Sequence, residues 1–166
     1  MLKFEVIIVL NMGGIQMGRR ASREAAMKLL YQLEIQKSDR CEQIDRALED
    51  ESLKENDKKY IRSIVDGVND KVSLIDNIIE KKSMGWKISR LSKIDLSILR
   101  IGIYEILYRD DIPFSVTVNE AVELAKKYNN EDAGAYVNGL LAKVSEADAD
   151  VLEGKLDSDS ETNSST

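Results

Sequence analysis

Residues 89–109, SRLSKIDLSILRIGIYEILYR, carry apolar side chains at Leu91, Ile94, Leu96, Ile98, Leu99, Ile101, Ile103, Ile106 and Leu107. On a helical wheel these positions cover three sides instead of the single stripe of a surface helix, so the segment asks for neighbours in several directions. Ile101 and Ile103 alternate as a strand would, but Lys93, Asp95, Arg100 and Glu105 interrupt any longer alternation, and the run exceeds a usual strand. Ser92 with Asp95 has capping-box spacing, and Pro113 stands just beyond the far end. The pattern predicts about four turns of a central helix, the hub of an all-helical domain.

The same periodicity recurs on both sides. Ala25, Ala26, Leu29, Leu30 and Leu33 predict a helix over 20–37, with Ser22 as a candidate N-cap unless the basic run before it is itself helical. Ile44 and Leu48 anchor a short helix over 41–48. Ser52 and Glu55 have capping-box spacing ahead of Tyr60, Ile61, Ile64, Val65, Val68, Val72, Ile75, Ile78 and Ile79, which predicts one long helix from 53 to 82, bent at Gly67. Met84, Gly85 and Trp86 then turn the chain, with Trp86 read as a core anchor. After a tight connection fixed by Pro113, Thr117 and Glu120 repeat the capping-box spacing before Ala121, Val122, Ala125 and Tyr128. Asn129 and Asn130 break that helix; Glu131 and Asp132 place acids at the positive end of the next, whose buried side is Ala133, Val137, Leu140, Leu141 and Val144. The helices divide into two packed subdomains, 20–82 and 84–145, of one compact all-α domain.

Composition narrows the chemistry. A chain of 166 residues suits one domain that buries roughly two thirds of its unfolded surface, and 5% aromatic content leaves aliphatics to fill the core. The single cysteine, Cys41, rules out an intramolecular disulfide, and with no histidine the usual zinc and imidazole-based catalytic arrangements are absent. A reducing cytoplasm is the expected location. Gly13-Gly14 fits neither a P-loop nor a dinucleotide fingerprint, and Cys41, in a predicted short helix without histidine, reads as an inert thiol. Pairs such as Glu123 with Lys127 read as ordinary helix-surface charge. No catalytic residue, metal site or cofactor is expected.

Charge changes the picture once it is divided. Residues 146–166 hold Glu146, Asp148, Asp150, Glu153, Asp157, Asp159 and Glu161 against Lys155, which accounts for the whole net charge of −6 and leaves 1–145 balanced. That stretch reads as an acidic disordered tail. Residues 17–40 are locally basic, with Arg19, Arg20, Arg23, Lys28, Lys37 and Arg40 against Glu24, Glu34 and Asp39. Nucleic-acid binding follows local potential more than net charge, although solubility and carboxylate pairing are open to the same arginines. Residues 1–16 do not resemble the rest: LKFEVIIVL reads as a strand or a weak membrane segment, or else the stretch is an upstream translation of message. On the last reading, which is adopted here, Gly13-Gly14 codons hold a purine-rich ribosome-binding site, the cellular protein starts at Met17, and the domain spans 17–145.

Four segments, GRRASREAAMKLLYQLE at 18–34, IDLSILRIGIYEI at 94–106, IPFSVTVNEAVELAKKY at 112–128 and EDAGAYVNGLLAKV at 131–144, closely resemble the bacterial NusB transcription antitermination factor family. The resemblance covers about residues 17–145 and implies an all-α NusB-like fold and a non-enzymatic role. It further implies partnership with NusE, a ribosomal small-subunit protein, and joint recognition of boxA-containing single-stranded RNA within an antitermination complex with RNA polymerase, with no membrane involved. Arg19, Arg20 and Arg23 fall on the family's arginine-rich motif; arginine pairs bidentately with phosphate or stacks on an exposed base. Asp132 and Tyr136 match positions of the family's RNA face, with Tyr136 replacing a phenylalanine common in relatives. Asp95 matches an acidic position of the NusE interface, beside its plainer reading as a first-turn acid. Asn119, Glu120, Asn138 and Gly139 are also distinctive, and structural roles are favoured for them over RNA contact. NusB-like domains also occur fused to ribosomal RNA cytosine methyltransferases, but this sequence carries no cofactor loop or catalytic cysteine context. The alternative function is a stand-alone RNA-binding ribosome-biogenesis factor.

Overall fold

The computed structural model describes residues 18–150 and 154; the expectation for residues 1–16 lies outside them. Among the described residues the chain forms α1 (Arg19–Ile35), α2 (Arg40–Leu48), α3 (Glu55–Asp70), α4 (Val72–Lys82), a 3₁₀ turn (Ile88–Arg90), α5 (Lys93–Tyr108), α6 (Phe114–Tyr128) and α7 (Glu131–Leu141). The helix read from three-sided hydrophobicity is α5, and it packs against α1, α3, α4, α6 and α7. Its Leu96, Ile98, Leu99 and Ile103 are buried, each contributing about 1.5–3 kcal/mol relative to an exposed side chain. Ser92 caps it, the hydroxyl oxygen accepting from the Asp95 N–H at 3.0 Å. Because α5 touches α1, α3 and α4 before it and α6 and α7 after it, one continuous core runs through it. No helix among the described residues is long and apolar enough to cross a membrane.

Helix interiors match the periodicity, whereas several ends differ from the capping expectations. Helix α1 starts at Arg19 behind Gly18, so the basic run is itself helical; Ser22 lies one turn inside, and its hydroxyl donates to Asp57 at 2.8 Å. Helix α3 starts at Glu55 behind Lys54, while the Ser52 N–H turns back to the Asp50 carboxylate at 2.8 Å. Helix α6 starts at Phe114 behind Pro113, three residues before Thr117, because Thr117 and Glu120 are engaged by distant partners. The long helix is interrupted at Lys71 and not at Gly67. Gly67 serves close packing: a Cβ there would lie 2.1 Å from Cζ of Tyr104. Asn130 does cap α7, its side chain accepting from the Ala133 N–H at 2.8 Å.

Two further expectations are corrected. The turn after α4 uses positive φ at Met84 (52°) and Gly85 (95°), and the Ser83 hydroxyl fastens it by donating to the Trp86 carbonyl at 2.6 Å. The buried Ser83 side chain, not the indole, holds this turn; Trp86 is 57% exposed and is no core anchor. The acidic segment, expected to be disordered from residue 146, begins with helical residues 146–150. Asp148 accepts from the Ser145 N–H at 2.9 Å and pairs with Lys82 at 3.0 Å, which fixes this turn to the end of α4.

Candidate nucleic-acid interface

Arg19 and Arg23 lie four residues apart on α1 and point to one side of it, toward α3 and α5, whereas Arg20 turns toward α6. Arg23 is 2% exposed. Its Nε and Nη2 donate to the two oxygens of Glu105 at 2.8 and 3.2 Å, and the same carboxylate accepts from the Tyr60 hydroxyl at 2.6 Å and the Thr117 hydroxyl at 2.7 Å. Glu105 is fully buried, so α1, α3, α5 and α6 converge on one satisfied carboxylate. Burial, together with the Glu105 charge, pushes the Tyr60 phenol upward. Arg23, expected on the RNA surface, is thus corrected to a core residue whose charge is already matched. Sequence spacing could not reveal this, because Glu105 stands 82 residues away along the chain.

Outside this core lies a layer of accessible guanidinium groups. Arg19 stacks over Tyr60 with its guanidinium carbon 4.3 Å from the ring centre, and Arg109, which follows α5, approaches the same ring at 5.6 Å. Arg109 was missed by sequence reasoning; only folding brings it beside Arg19. Its Nε and Nη2 both donate to Asp111 at 2.8 Å, and Nη1 donates to Ser63 at 3.1 Å. Arg20 likewise gives Nε and Nη2 to Glu120, both at 2.8 Å, while its side chain stays 69% exposed. Hydrogen bonding from Arg109 pulls the Asp111 carboxyl down to about 2, and hydrogen bonding from Arg20 holds Glu120 below its ordinary value. Carboxylate pairing is therefore real for Arg20, Arg23 and Arg109. Arg19 alone of the four has no carboxylate on its fork among the described residues.

Along the α1–α6 face, one turn beyond Arg20, Glu24 accepts from Lys127 at 2.9 Å and from the Tyr128 hydroxyl. Lys28 and Lys127 lie 5.9 and 5.4 Å from the centre of the Tyr128 ring. This aromatic and basic step leads toward α7, where Asp132 is exposed in the first turn and Tyr136 is half-buried one turn later. The Tyr136 hydroxyl is buried beside Ser83, outside hydrogen-bond geometry, and burial raises its pKa. Asp95 is only 7% exposed, and its Oδ2 accepts from Asn129 Nδ2 at 2.8 Å. The structure thus places Asp95 as a tie between α5 and the end of α6, while its other oxygen, Oδ1, is buried and accepts no hydrogen bond among the described residues. Tyr136 lies near the Asp95 end of α5 and the arginines near the Glu105 end, about 15 Å apart along the helix. The expected site residues do not form a single cluster: Arg19 and Arg20 are exposed at the start of α1, Arg23 and Asp95 are buried, and Asp132 and Tyr136 lie on α7. Among the described residues no group of three or more metal-ligating side chains is placed to hold an ion.

Comparison with known proteins places this arrangement. A model described as the NusB family matches residues 20–146. A transcription antitermination protein NusB from Ruminiclostridium cellulolyticum is 80% identical over 132 residues, covering 80% of this chain and 91% of that protein. Its counterpart from Clostridium novyi is 47% identical, covering 79% of this chain and all of the relative. Among solved structures, T. maritima NusB superposes with a TM-score of 0.72 at 35% identity, covering 78% of this chain and 91% of that one. A crystal structure of antitermination factors NusB and NusE in complex with dsRNA gives a TM-score of 0.67 at 29% identity, covering 75% and 92%. On the extent of these matches and the shared helical architecture, the chain belongs to the NusB family.

Proposed function

We propose that this chain is a non-enzymatic antitermination factor that binds boxA-containing single-stranded RNA together with NusE, and that it acts in a transcription complex with RNA polymerase. The observation that carries this reading is the accessible guanidinium of Arg19, stacked on Tyr60 beside the exposed Arg20, with Lys28 and Lys127 gathered around Tyr128 farther along α1 and α6. Family membership and the similarity to a NusB–NusE–RNA structure support it. Arg19 and Arg20 supply phosphate contacts, Tyr136 presents its half-exposed ring to a base, and Asp132 accepts from base edges or orients neighbouring donors. Arg23 sets the position of α1 from inside. Asp95 governs the partner surface through Asn129.

The test is a salt titration of binding to boxA and to a scrambled RNA, with and without NusE. Wild type should prefer boxA, and NusE should strengthen that preference. Arg19→Ala with Arg20→Ala should weaken both RNAs and lower the salt slope by up to about 1.4, two single-strand phosphates' worth. A wild-type protein with no boxA preference in either condition, while retaining ribosomal RNA binding, would favour the ribosome-biogenesis alternative.

A further inference from the structure

We propose that Glu120 and Asp111 are specificity-determining residues of the RNA face, holding one edge of Arg20 and Arg109 so that loosely placed phosphates gain little from either guanidinium. The inference rests on the RNA-binding reading above. A guanidinium presents two edges that can each bind an oxyanion bidentately, one formed by Nε and Nη2 and the other by Nη1 and Nη2. Both arginines spend the Nε edge on a carboxylate, with all four N–H···O distances at 2.8 Å, the length of a charge-assisted bond. Arg23 does the same with Glu105 inside the protein. Arg20 and Arg109 at the surface are thus matched by Glu120 and Asp111, as Arg23 is by Glu105 inside, so among the described residues only Arg19 of the four is left unmatched and this end of the free protein is close to neutral.

Near-neutrality has a definite effect on binding. Long-range attraction to any polyanion is weak, and Arg19 supplies most of what remains. A phosphate that arrives out of register meets a carboxylate and is repelled, which is how an interface discriminates by penalising the wrong partner. A strand held in register by its bases reaches the outward edge of Arg20, whose Nη1 bonds nothing among the described residues. The acids thus lower affinity for all RNA, but for mismatched RNA most.

Glu120→Gln and Asp111→Asn keep the side-chain shape and remove the charge. Each should raise affinity for scrambled RNA about two- to fivefold, the scale of an exposed charge interaction, while boxA affinity changes less, so the selectivity ratio falls. The salt slope for scrambled RNA should steepen by up to about 0.7 per freed arginine, a change that a purely structural role for the acids would not produce. Glu49→Gln, a remote exposed acid, controls for net charge. Thermal unfolding checks the fold; if Glu120→Gln unfolds, Asp111→Asn carries the test alone, since that side chain is 58% exposed. Equal gains on both RNAs, no gain, or a loss on both would overturn the inference. A wild type that binds neither RNA would instead defeat the RNA reading itself.

Discussion

Replacing Glu105 by glutamine keeps the side chain's size but removes the carboxylate that binds the buried Arg23 guanidinium at 2.8 Å, leaving it only Glu120 at 3.8 Å. Removing one partner of a buried pair typically costs about 3–5 kcal/mol, so Glu105→Gln should lower stability on that scale in a denaturant titration. Tyr60→Phe removes one donor to the same carboxylate and should cost less, about 1.5–3 kcal/mol. Near-wild-type stability of Glu105→Gln would mean that the carboxylate is not the anchor of this end of the molecule. At this scale the sequence was a poor guide to role. Arg19, Arg20 and Arg23 stand within one short stretch of α1 and have three different fates, set by Tyr60, Glu120 and Glu105, none of them nearby in the chain. Arg109 carried no local signal at all. Residue type announced a guanidinium; only tertiary neighbours decided whether it was buried, clamped or available.

Individual helices were far more legible, because burial of a stripe is written at every third or fourth position. The interior of α5 was read correctly, and Leu99→Ala there should cost about 2–5 kcal/mol by leaving a cavity at the meeting point of several helices. Helix ends were less legible, since Ser, Thr, Asp and Glu cap helices and also make tertiary bonds. Ser52, Thr117 and Glu120 had the spacing of caps and do other things, whereas Ser92 caps as expected and Asn130, read only as a helix breaker, caps α7. Gly67 offers a sharper test. Gly67→Ala should destabilise the protein by about 1–3 kcal/mol, because the methyl group collides with the Tyr104 ring. In a Tyr104→Ala background the collision is gone, and the same substitution should stabilise α3 by about 0.5–1 kcal/mol through helix propensity. Loss of stability of equal size in both backgrounds would return Gly67 to the role of a bend.

The charge pattern of the whole molecule sets its response to acid. Lys93 and Arg100 hold Glu34 below its ordinary value of 4.5, Arg20 does the same for Glu120, and Arg109 draws Asp111 from 3.8 to about 2. A carboxyl with a depressed folded-state pKa contributes stability that is complete above its unfolded value and lost as pH falls through the folded one. The thermal midpoint should therefore stay level down to about pH 5 and fall below it. Asp111→Asn should remove part of the decline between 3.8 and about 2, and a midpoint unchanged to pH 2 would contradict these pairings. The fold class followed from periodicity, but the layout of the proposed RNA-binding residues did not, because they are drawn from α1, α6 and α7 and, in Arg109, from beyond α5.

The turn after α4 also determines what an optical experiment can see. Trp86 is the only tryptophan in the chain, and it already sits in solvent in the native state. Its emission should shift little when the core melts, so unfolding followed by tryptophan fluorescence would have a small amplitude and is better followed by circular dichroism. The same indole becomes a background-free reporter of any molecule that covers the 84–87 turn: a blue shift on adding a ligand would locate contact at that corner without a label.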